Sequence, residues 1–420
     1  MSFEEPRKVK LGEIGVIITG KTPPTRLDGI FGEKYPFVTP RDMIGQKYIT
    51  ETERYLSDFG LEKVKKQVLD GISICVSCIG TLGKVALIKG KCVTNQQINS
   101  ITKIKNEFCP DYIYYQLKTM RNFFDNIAGG STMPIINKAN FAEIELEIPN
   151  IRVQKKVSSI LSKLDEKIEL NNQINRNLEE MTQAIFKRWF VDFEFPNENG
   201  EPYKSSGGEF EESELGLIPK GWFVTEMGSF LIPKNERVND KNLILYSTTN
   251  QGLQLRDEKF KKNLTKNNKK NKIIEKNDIV FGMSREILNF GVMKDKIGAV
   301  SPAYHVFKVD CDIYNAELLE MYMRIRSDYF LDLIKPGARE GQVIDRAHLQ
   351  KKRLIVPKKE IQDHFYEVFS CIKNTMQTIE DQTNLLIQIR DTLLPKLMSG
   401  EIRVPLENEG RHQDEQLQRV

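Results

Sequence analysis

One stretch of this sequence is written twice. A long amphipathic pattern begins after Pro149 and carries Ile160, Leu164, Ile168, Leu178, Met181 and Ile185; a second begins after Pro357 and carries Val368, Ile372, Met376, Leu386, Ile389 and Leu393. The two prolines stand 208 residues apart, and the same 208 separates every later pair without a gap. Positions 164, 168, 174, 178, 181 and 185, with Asn171 filling one slot, step by threes and fours, at about the 3.5-residue period of a coiled-coil seam. Roughly 38 residues at 1.5 Å each make a rod of about 57 Å. Each rod begins where a globular segment ends, so the two can pack antiparallel, with a globule at either end. Asn171 and Gln382 fall near the middle of the two helices, where a buried amide fixes register at some cost in stability. The expected fold is therefore α+β: two similar α/β globules separated by two long antiparallel coiled-coil helices, related by a pseudo-twofold. A duplicated unit of this size suits a protein doing two related jobs better than an enzyme with one active site.

Composition narrows the class. With 420 residues, 40% of them hydrophobic and 29% charged, the chain is long enough for two or three folded domains. A net charge of +4 permits a nucleic-acid partner without demanding one. The start, Met1-Ser2-Phe3-Glu4-Glu5, has no basic segment leading into an apolar core, and no apolar run reaches the ~20 residues of a membrane span. A cytoplasmic protein that does not meet a membrane is expected. The six cysteines show no spacing framework, and Cys75-x-x-Cys78 sits in the strand-like run Ile72, Ile74, Val76, Ile79 without a second pair, which favours buried thiols over a zinc knuckle. The four histidines are too scattered for a metal cage, so no metal site is expected.

The domain limits read as follows: a first globule at 1–150, a first long helix at 151–194, an exposed connector at 195–218 rich in Glu, Gly, Pro and Ser, a second globule at 219–357, a second long helix at 358–403, and a frayed tail at 404–420. Within the first globule, short β-branched runs alternate with turn signals, and one aromatic-rich helix is predicted around 111–126. Ile144-Glu145-Leu146-Glu147-Ile148-Pro149 reads as a period-2 strand stopped by proline, and Leu354-Ile355-Val356-Pro357 answers it. Gly291 answers Gly83, and Pro395 is expected to kink or end the second helix.

Motifs for covalent chemistry are missing. Gly80-Thr81-Leu82-Gly83-Lys84-Val85 has its glycines too close for a phosphate-binding loop and no hydroxyl after the lysine, so it reads as a turn. No dinucleotide fingerprint, Asn/Asp-Pro-Pro-aromatic cluster, His-Glu-x-x-His or Gly-x-Ser-x-Gly occurs, and no catalytic residue is assigned. For nucleic acid, Lys21, Thr22 and Arg26 lie on a proline-stiffened turn, and Asn95 and Gln96 are of the residue types that pair with adenine. Arg41 and Lys84 join them as basic candidates in the first globule. In the second, Arg285, Arg339 and Gln342 are placed to specify bases, whereas the lysine-rich run at 259–272 reads as a solvated loop that could meet phosphates.

The chain resembles the specificity subunits of type I restriction-modification systems. The likeness is carried by Ala184-Ile185-Phe186-Lys187-Arg188-Trp189-Phe190-Val191-Asp192-Phe193, by Leu217-Ile218-Pro219-Lys220-Gly221-Trp222, by Leu393-Leu394-Pro395-Lys396-Leu397-Met398-Ser399-Gly400-Glu401, by Gly129-Gly130-Ser131-Thr132-Met133-Pro134-Ile135-Ile136-Asn137 and by Thr94-Asn95-Gln96. The resemblance implies that each globule is a target recognition domain reading one half of a split sequence in double-stranded DNA, with Ser131 and Thr132 added to the contact residues. It implies that the helices are a spacer and a docking surface for two methyltransferase subunits, with Leu164, Ile168, Asn171, Leu178, Trp189, Phe190, Ile372, Gln382, Leu386 and Leu393 as candidates. It also implies that restriction/translocase subunits join the assembly, and that S-adenosylmethionine, ATP and Mg2+ belong to partner subunits, with no cofactor in this chain. A coiled-coil protein-interaction scaffold that never touches DNA is the rival reading, and a self-sufficient nuclease or methyltransferase with unfamiliar residues is a third.

Overall fold

A computed structural model describes residues 6–128, 134–238, 243–256, 268–284, 287–334 and 344–405. The chain forms two compact units, one of Met1–Ile174 with Ile379–Val420 and the other of Asn175–Thr378.

In the first unit the two ends of the globule are tied together: strand Arg7–Lys10 pairs antiparallel with Glu145–Ile148, from Arg7 opposite Ile148 to Lys10 opposite Glu145. Alternate burial along the second of these strands sends Leu146 and Ile148 into the core, as the period-2 pattern requires. A four-stranded antiparallel sheet follows, in the order Val16–Thr19, Ile98–Thr102, Ser73–Ser77, Val85–Ile88. Its last three strands are buried at every position, so their sequences are uniformly apolar or small and do not alternate. A second sheet runs Phe31–Gly32, Tyr55–Leu56, Tyr35–Val38, Cys92–Thr94, Val68–Leu69, with one parallel pairing, Phe37 opposite Val93. The helix expected at 111–126 is two, Pro110–Thr119 and Arg121–Ala128, broken at Met120; Tyr112, Tyr115 and Phe124 plug the core between them and the first sheet. Cys75 and Cys78 lie inside the globule, where Ser100 donates to the Cys75 sulfur (3.6 Å) and burial pushes the two thiols up to about 12 and about 11. Such thiols stay protonated and are poor metal ligands.

The second unit repeats this plan. Phe223–Glu226 pairs antiparallel with Arg353–Val356; a four-stranded sheet runs Leu231–Lys234, His305–Val309, Asp278–Phe281, Phe290–Val292; and a mixed sheet runs Gly252–Leu255, Leu245–Thr249, Ile297–Val300, Lys272–Glu275, again with one parallel pairing, Leu245 opposite Ala299. Equivalence does not extend to every glycine. Gly83 turns the chain at φ +72°, but Gly291 is a strand residue where a Cβ would strike the Leu253 nitrogen at 2.4 Å. Residues 195–218 are mostly exposed, as expected, but not irregular: Phe195 stacks on Tyr203 (4.5 Å) and Trp222 (5.1 Å), and Phe210–Ser213 forms a hairpin with Gly216–Pro219. Three aromatics spread through a polar stretch supply the apolar contact that its composition concealed.

The long helices are Ile151–Phe190 and Lys359–Met398, 40 residues and about 60 Å each. In the first unit Asp165 meets Arg390 (2.8 Å), and Asn171 Nδ2 donates to Gln382 Oε1 (3.0 Å) and Thr383 Oγ1 (3.2 Å). In the second, Asn175 Nδ2 donates to the Met376 carbonyl, and Phe186 and Phe190 pack on Phe365. Rising numbers on one helix meet falling numbers on the other, so the pair is antiparallel in each unit. The seam departs from the expected one at Met181, which is 53% exposed while Thr182 is buried, because a step of four from Leu178 keeps the 3.5 period in phase. Pro395 does not end the second helix, which runs on to Met398; near a C-terminus the missing N–H removes one hydrogen bond of the last turns only.

Each helix is locked to its own globule by a buried glutamine. Gln154 Oε1 accepts from the Cys109 N–H (2.8 Å) while its Nε2 donates to the Pro149 (2.8 Å) and Glu107 (3.3 Å) carbonyls. Gln362, 208 positions on, accepts from the Asn315 N–H (2.9 Å) and donates to the Pro357 (2.9 Å) and Ile313 (3.0 Å) carbonyls. Both side chains satisfy groups that would otherwise be buried without partners.

Candidate functional site

Two loops far apart in sequence meet at one end of the first unit's four-stranded sheet. Strand Val16–Thr19 runs out into residues 20–26, and its neighbour Ile98–Thr102 is entered from residues 94–97. The Gly20 N–H donates to the Ile98 carbonyl (3.1 Å), the Lys21 N–H to the Thr94 carbonyl (2.9 Å), and Thr22 Oγ1 to Gln96 Oε1 (2.6 Å). Glycine is required at position 20, since a Cβ would lie 2.2 Å from the Asn95 carbonyl oxygen. Lys21 and Arg26 project into solvent from this loop.

Beside it opens a polar cleft of about 670 Å³ lined by Thr39, Arg41, Arg54, Lys84, Asn95 and Gln97, with Glu53 as its one carboxylate among the described residues. Lys84 leaves the turn between two strands and donates to the Pro40 carbonyl (2.7 Å), which sets its ammonium on the cleft wall. Arg54 lies over Phe31 and Phe37, its guanidinium 5.0 Å and 5.3 Å from the ring centres. The expected reading amide Asn95 is 7% exposed and already occupied: Nδ2 donates to Gln97 Oε1 (2.8 Å), and Oδ1 accepts from the Gln97 N–H (3.1 Å). Asn95 thus shapes the turn, and the amide groups facing outward are those of Gln96 and Gln97.

Six of the seven described candidates of the first globule, Lys21, Thr22, Arg41, Lys84, Asn95 and Gln96, sit in or beside this one surface, and Arg26 sits further along the same loop. Arg54 was not foreseen, since an arginine inside Glu53-Arg54-Tyr55 carries no distinguishing pattern, whereas Gln97 is the third amide of the Asn95-Gln96-Gln97 run. Ser131, Thr132, Arg285, Arg339 and Gln342 lie outside the described residues, as does most of the lysine-rich run at 259–272. Lys272 is described and is not solvated: it opens a strand and is half-buried. Of the helix candidates, Ile168, Asn171 and Phe190 are buried, Leu164, Leu178, Trp189, Ile372, Leu386 and Leu393 are half-buried, and Gln382 is exposed. The apolar side chains left facing outward on the helices are Leu170, Met181, Leu385 and Ile389.

Among the described residues no group of three His, Cys, Asp or Glu side chains could hold a metal ion, and no helix is long and apolar enough to cross a membrane. Residues 4–180 match the family of type I restriction modification DNA specificity domains. Over 414 residues, 94% of this chain and 93% of the relative, the chain is 27% identical to the type I restriction enzyme MjaIX specificity subunit of Methanocaldococcus jannaschii. It is 36% identical over 186 residues, 42% of this chain and 39% of the relative, to the HindI specificity subunit of Haemophilus influenzae. Its fold is shared with the S subunit of the type I restriction-modification system from M. genitalium, at a TM-score of 0.54, 13% identity and 96% coverage of both chains. The first part of the chain thus matches this family's model, and nearly its whole length is similar to type I restriction enzyme specificity subunits.

Proposed function

We propose that this chain is the non-catalytic subunit that gives a type I restriction-modification complex its DNA sequence specificity, each globule reading one half of a bipartite duplex target. The observation that carries the reading is the convergence of Lys21, Arg41, Arg54 and Lys84 with the outward amides of Gln96 and Gln97 on one surface of the first unit. Cations neutralise phosphates and fix register, whereas amides hydrogen-bond base edges. In this reading the long helices dock two methyltransferase subunits. The residues that face each other within the helix pair are already used, so the outward Leu170, Leu385 and Ile389 of the first unit and Met181 of the second are the docking contacts. Methyl transfer and DNA translocation, with their S-adenosylmethionine, ATP and Mg2+, belong to the partner subunits of a cytoplasmic assembly.

The test is duplex binding by the full chain together with its methyltransferase companions across a salt series. A DNA reader loses affinity steeply with salt, and Arg41→Gln, Arg54→Gln and Lys84→Gln each reduce the log–log slope by about one. A slope near zero, or binding that ignores sequence at every salt concentration, contradicts the reading.

A further inference from the structure

The second unit gathers four basic side chains at the end of the sheet that corresponds to the first unit's cleft. Arg237 follows strand Leu231–Lys234 as Lys21 and Thr22 follow Val16–Thr19, and His305 opens the strand that Ile98 opens in the first unit. Arg237 is bridged to Lys272 across the sheet edge. The Lys272 ammonium donates to the carbonyl of Tyr304 (2.7 Å), the residue before His305. Arg346 lies 5.9 Å from the centre of the Phe307 ring, two positions beyond His305 on one strand face, and its Nε is shielded from solvent with no hydrogen-bond partner.

None of the four makes an ion pair among the described residues. Arg237 reaches only the Lys270 carbonyl (3.4 Å), and His305 hydrogen-bonds the Ile344 backbone. The neighbouring carboxylates are committed elsewhere or stay exposed: Glu275 and Asp278 hold Lys234 (2.6 and 2.8 Å), Asp345 caps its own helix, and Glu236 is exposed in the loop that carries Arg237. Burial first, then the charges of Lys272 and Arg346, hold the His305 imidazole below its ordinary value. Burial, then Arg237 and Arg346, lowers Lys272. Packing cations together without a counter-charge is unfavourable unless an anion joins them.

We infer that Arg237, Lys272, His305 and Arg346 form a phosphate-binding site that takes a backbone oxyanion of duplex DNA on the second unit; this rests on the DNA-reading function proposed above. Where the first unit sets amides beside its cations, the second sets an imidazole beside them, so its hold on the duplex depends more on pH. A phosphate arriving beside His305 raises its pKa, and binding takes up a proton. Affinity therefore increases as pH falls through the range between the bound and free values.

The full chain, together with its methyltransferase companions, is titrated with a fluorescein-labelled 30-base-pair duplex over salt and pH. Arg237→Gln and Arg346→Gln are expected to weaken binding about tenfold near 0.1 M salt and to flatten the salt slope by about one each. His305→Gln is expected to remove the gain in affinity between pH 8 and pH 6. Proton NMR of the histidine rings, with His305→Gln identifying the signal, should show His305 titrating at higher pH once duplex is added. A wild-type chain that binds duplex while the arginine variants keep its slope overturns the site and leaves the DNA-reading function standing. A chain that binds no duplex overturns both. Inorganic phosphate shifting His305 as far as duplex does, with variants binding duplex like wild type, overturns the nucleic-acid assignment in favour of a free-anion site.

Discussion

The first and second globules share every strand of their four-stranded sheets, the parallel pairing beside it and the glutamine lock on the long helix, yet their working edges differ in kind. One edge is built from Thr22, Gln96, Gln97, Arg41 and Lys84; the other from Arg237, Lys272, His305 and Arg346. The frame is set by buried apolar strands, which tolerate few alternatives. Most loop residues at the sheet end lie outside the buried apolar clusters, so they are freer to vary than the strands. One plan thus carries two different rims.

This comparison breaks first where the frame itself is unequal. Asp165 in the first unit pairs with Arg390 (2.8 Å) and accepts from the Tyr115 hydroxyl (2.5 Å), both partners being largely buried. Its counterpart 208 residues on, Lys373, pairs with Glu317 from a more exposed position. Asp165→Ala removes the buried one of two carboxylates on Arg390, leaving it the exposed Asp391, and is expected to cost about 3 kcal/mol, and Lys373→Ala about 1 kcal/mol, both read by chemical denaturation. Equal costs would show that burial does not separate the two joints. The glutamine locks should behave alike: Gln154→Ala and Gln362→Ala each expose three backbone groups and are expected to cost about 3 kcal/mol, and a gap above about 2 kcal/mol between them would break the equivalence of the units.

Smaller effects sharpen it. Asn171 sits fully buried in the helix seam, and Thr383 keeps a second partner in the Ile379 carbonyl (2.8 Å) when the amide is lost. The double change Asn171→Leu, Gln382→Leu is therefore expected to raise stability by about 1 kcal/mol while loosening register, the first read as a higher melting temperature and the second by disulfide trapping of shifted pairings. An unchanged or lower melting temperature counts against a costly seam amide. Last, the His305 imidazole is held below its unfolded value, so the unfolded chain binds more protons. Stability from this group is present above the usual histidine range and is lost as pH falls through it. Calorimetry between pH 7.5 and 5.5 should show the wild type losing more stability than His305→Gln; identical losses would remove His305 from the argument.

What could be read from sequence was what repeats over a short distance. The helix period, the strand ending at Pro149 and the 208-residue spacing are local or self-similar, and they placed the starts of both rods within a residue of Ile151 and Lys359, while the expected ends at 194 and 403 overran Phe190 and Met398 by four and five residues. The slip at Met181 arose because Thr182, a polar residue, holds the seam position. Gln154 and Gln362 obeyed the same spacing but were passed over, since a glutamine in a helix ordinarily signals a solvent face. In the first site the two loops were each recognisable, because Thr-Pro-Pro and Asn-Gln-Gln are unusual strings; that they touch follows only from the pairing of Val16–Thr19 with Ile98–Thr102. The basic cluster of the second unit draws one residue from each of four distant segments, and no linear pattern joins 237, 272, 305 and 346 before the sheets assemble them.

The central claim is that each globule reads its own half of one target. Replacing residues 1–150 with the matching globule of another specificity subunit, and sequencing the sites methylated by the reconstituted complex, tests it most directly. A new first half beside an unchanged second half is the predicted result. A change in both halves, or in neither, would contradict it.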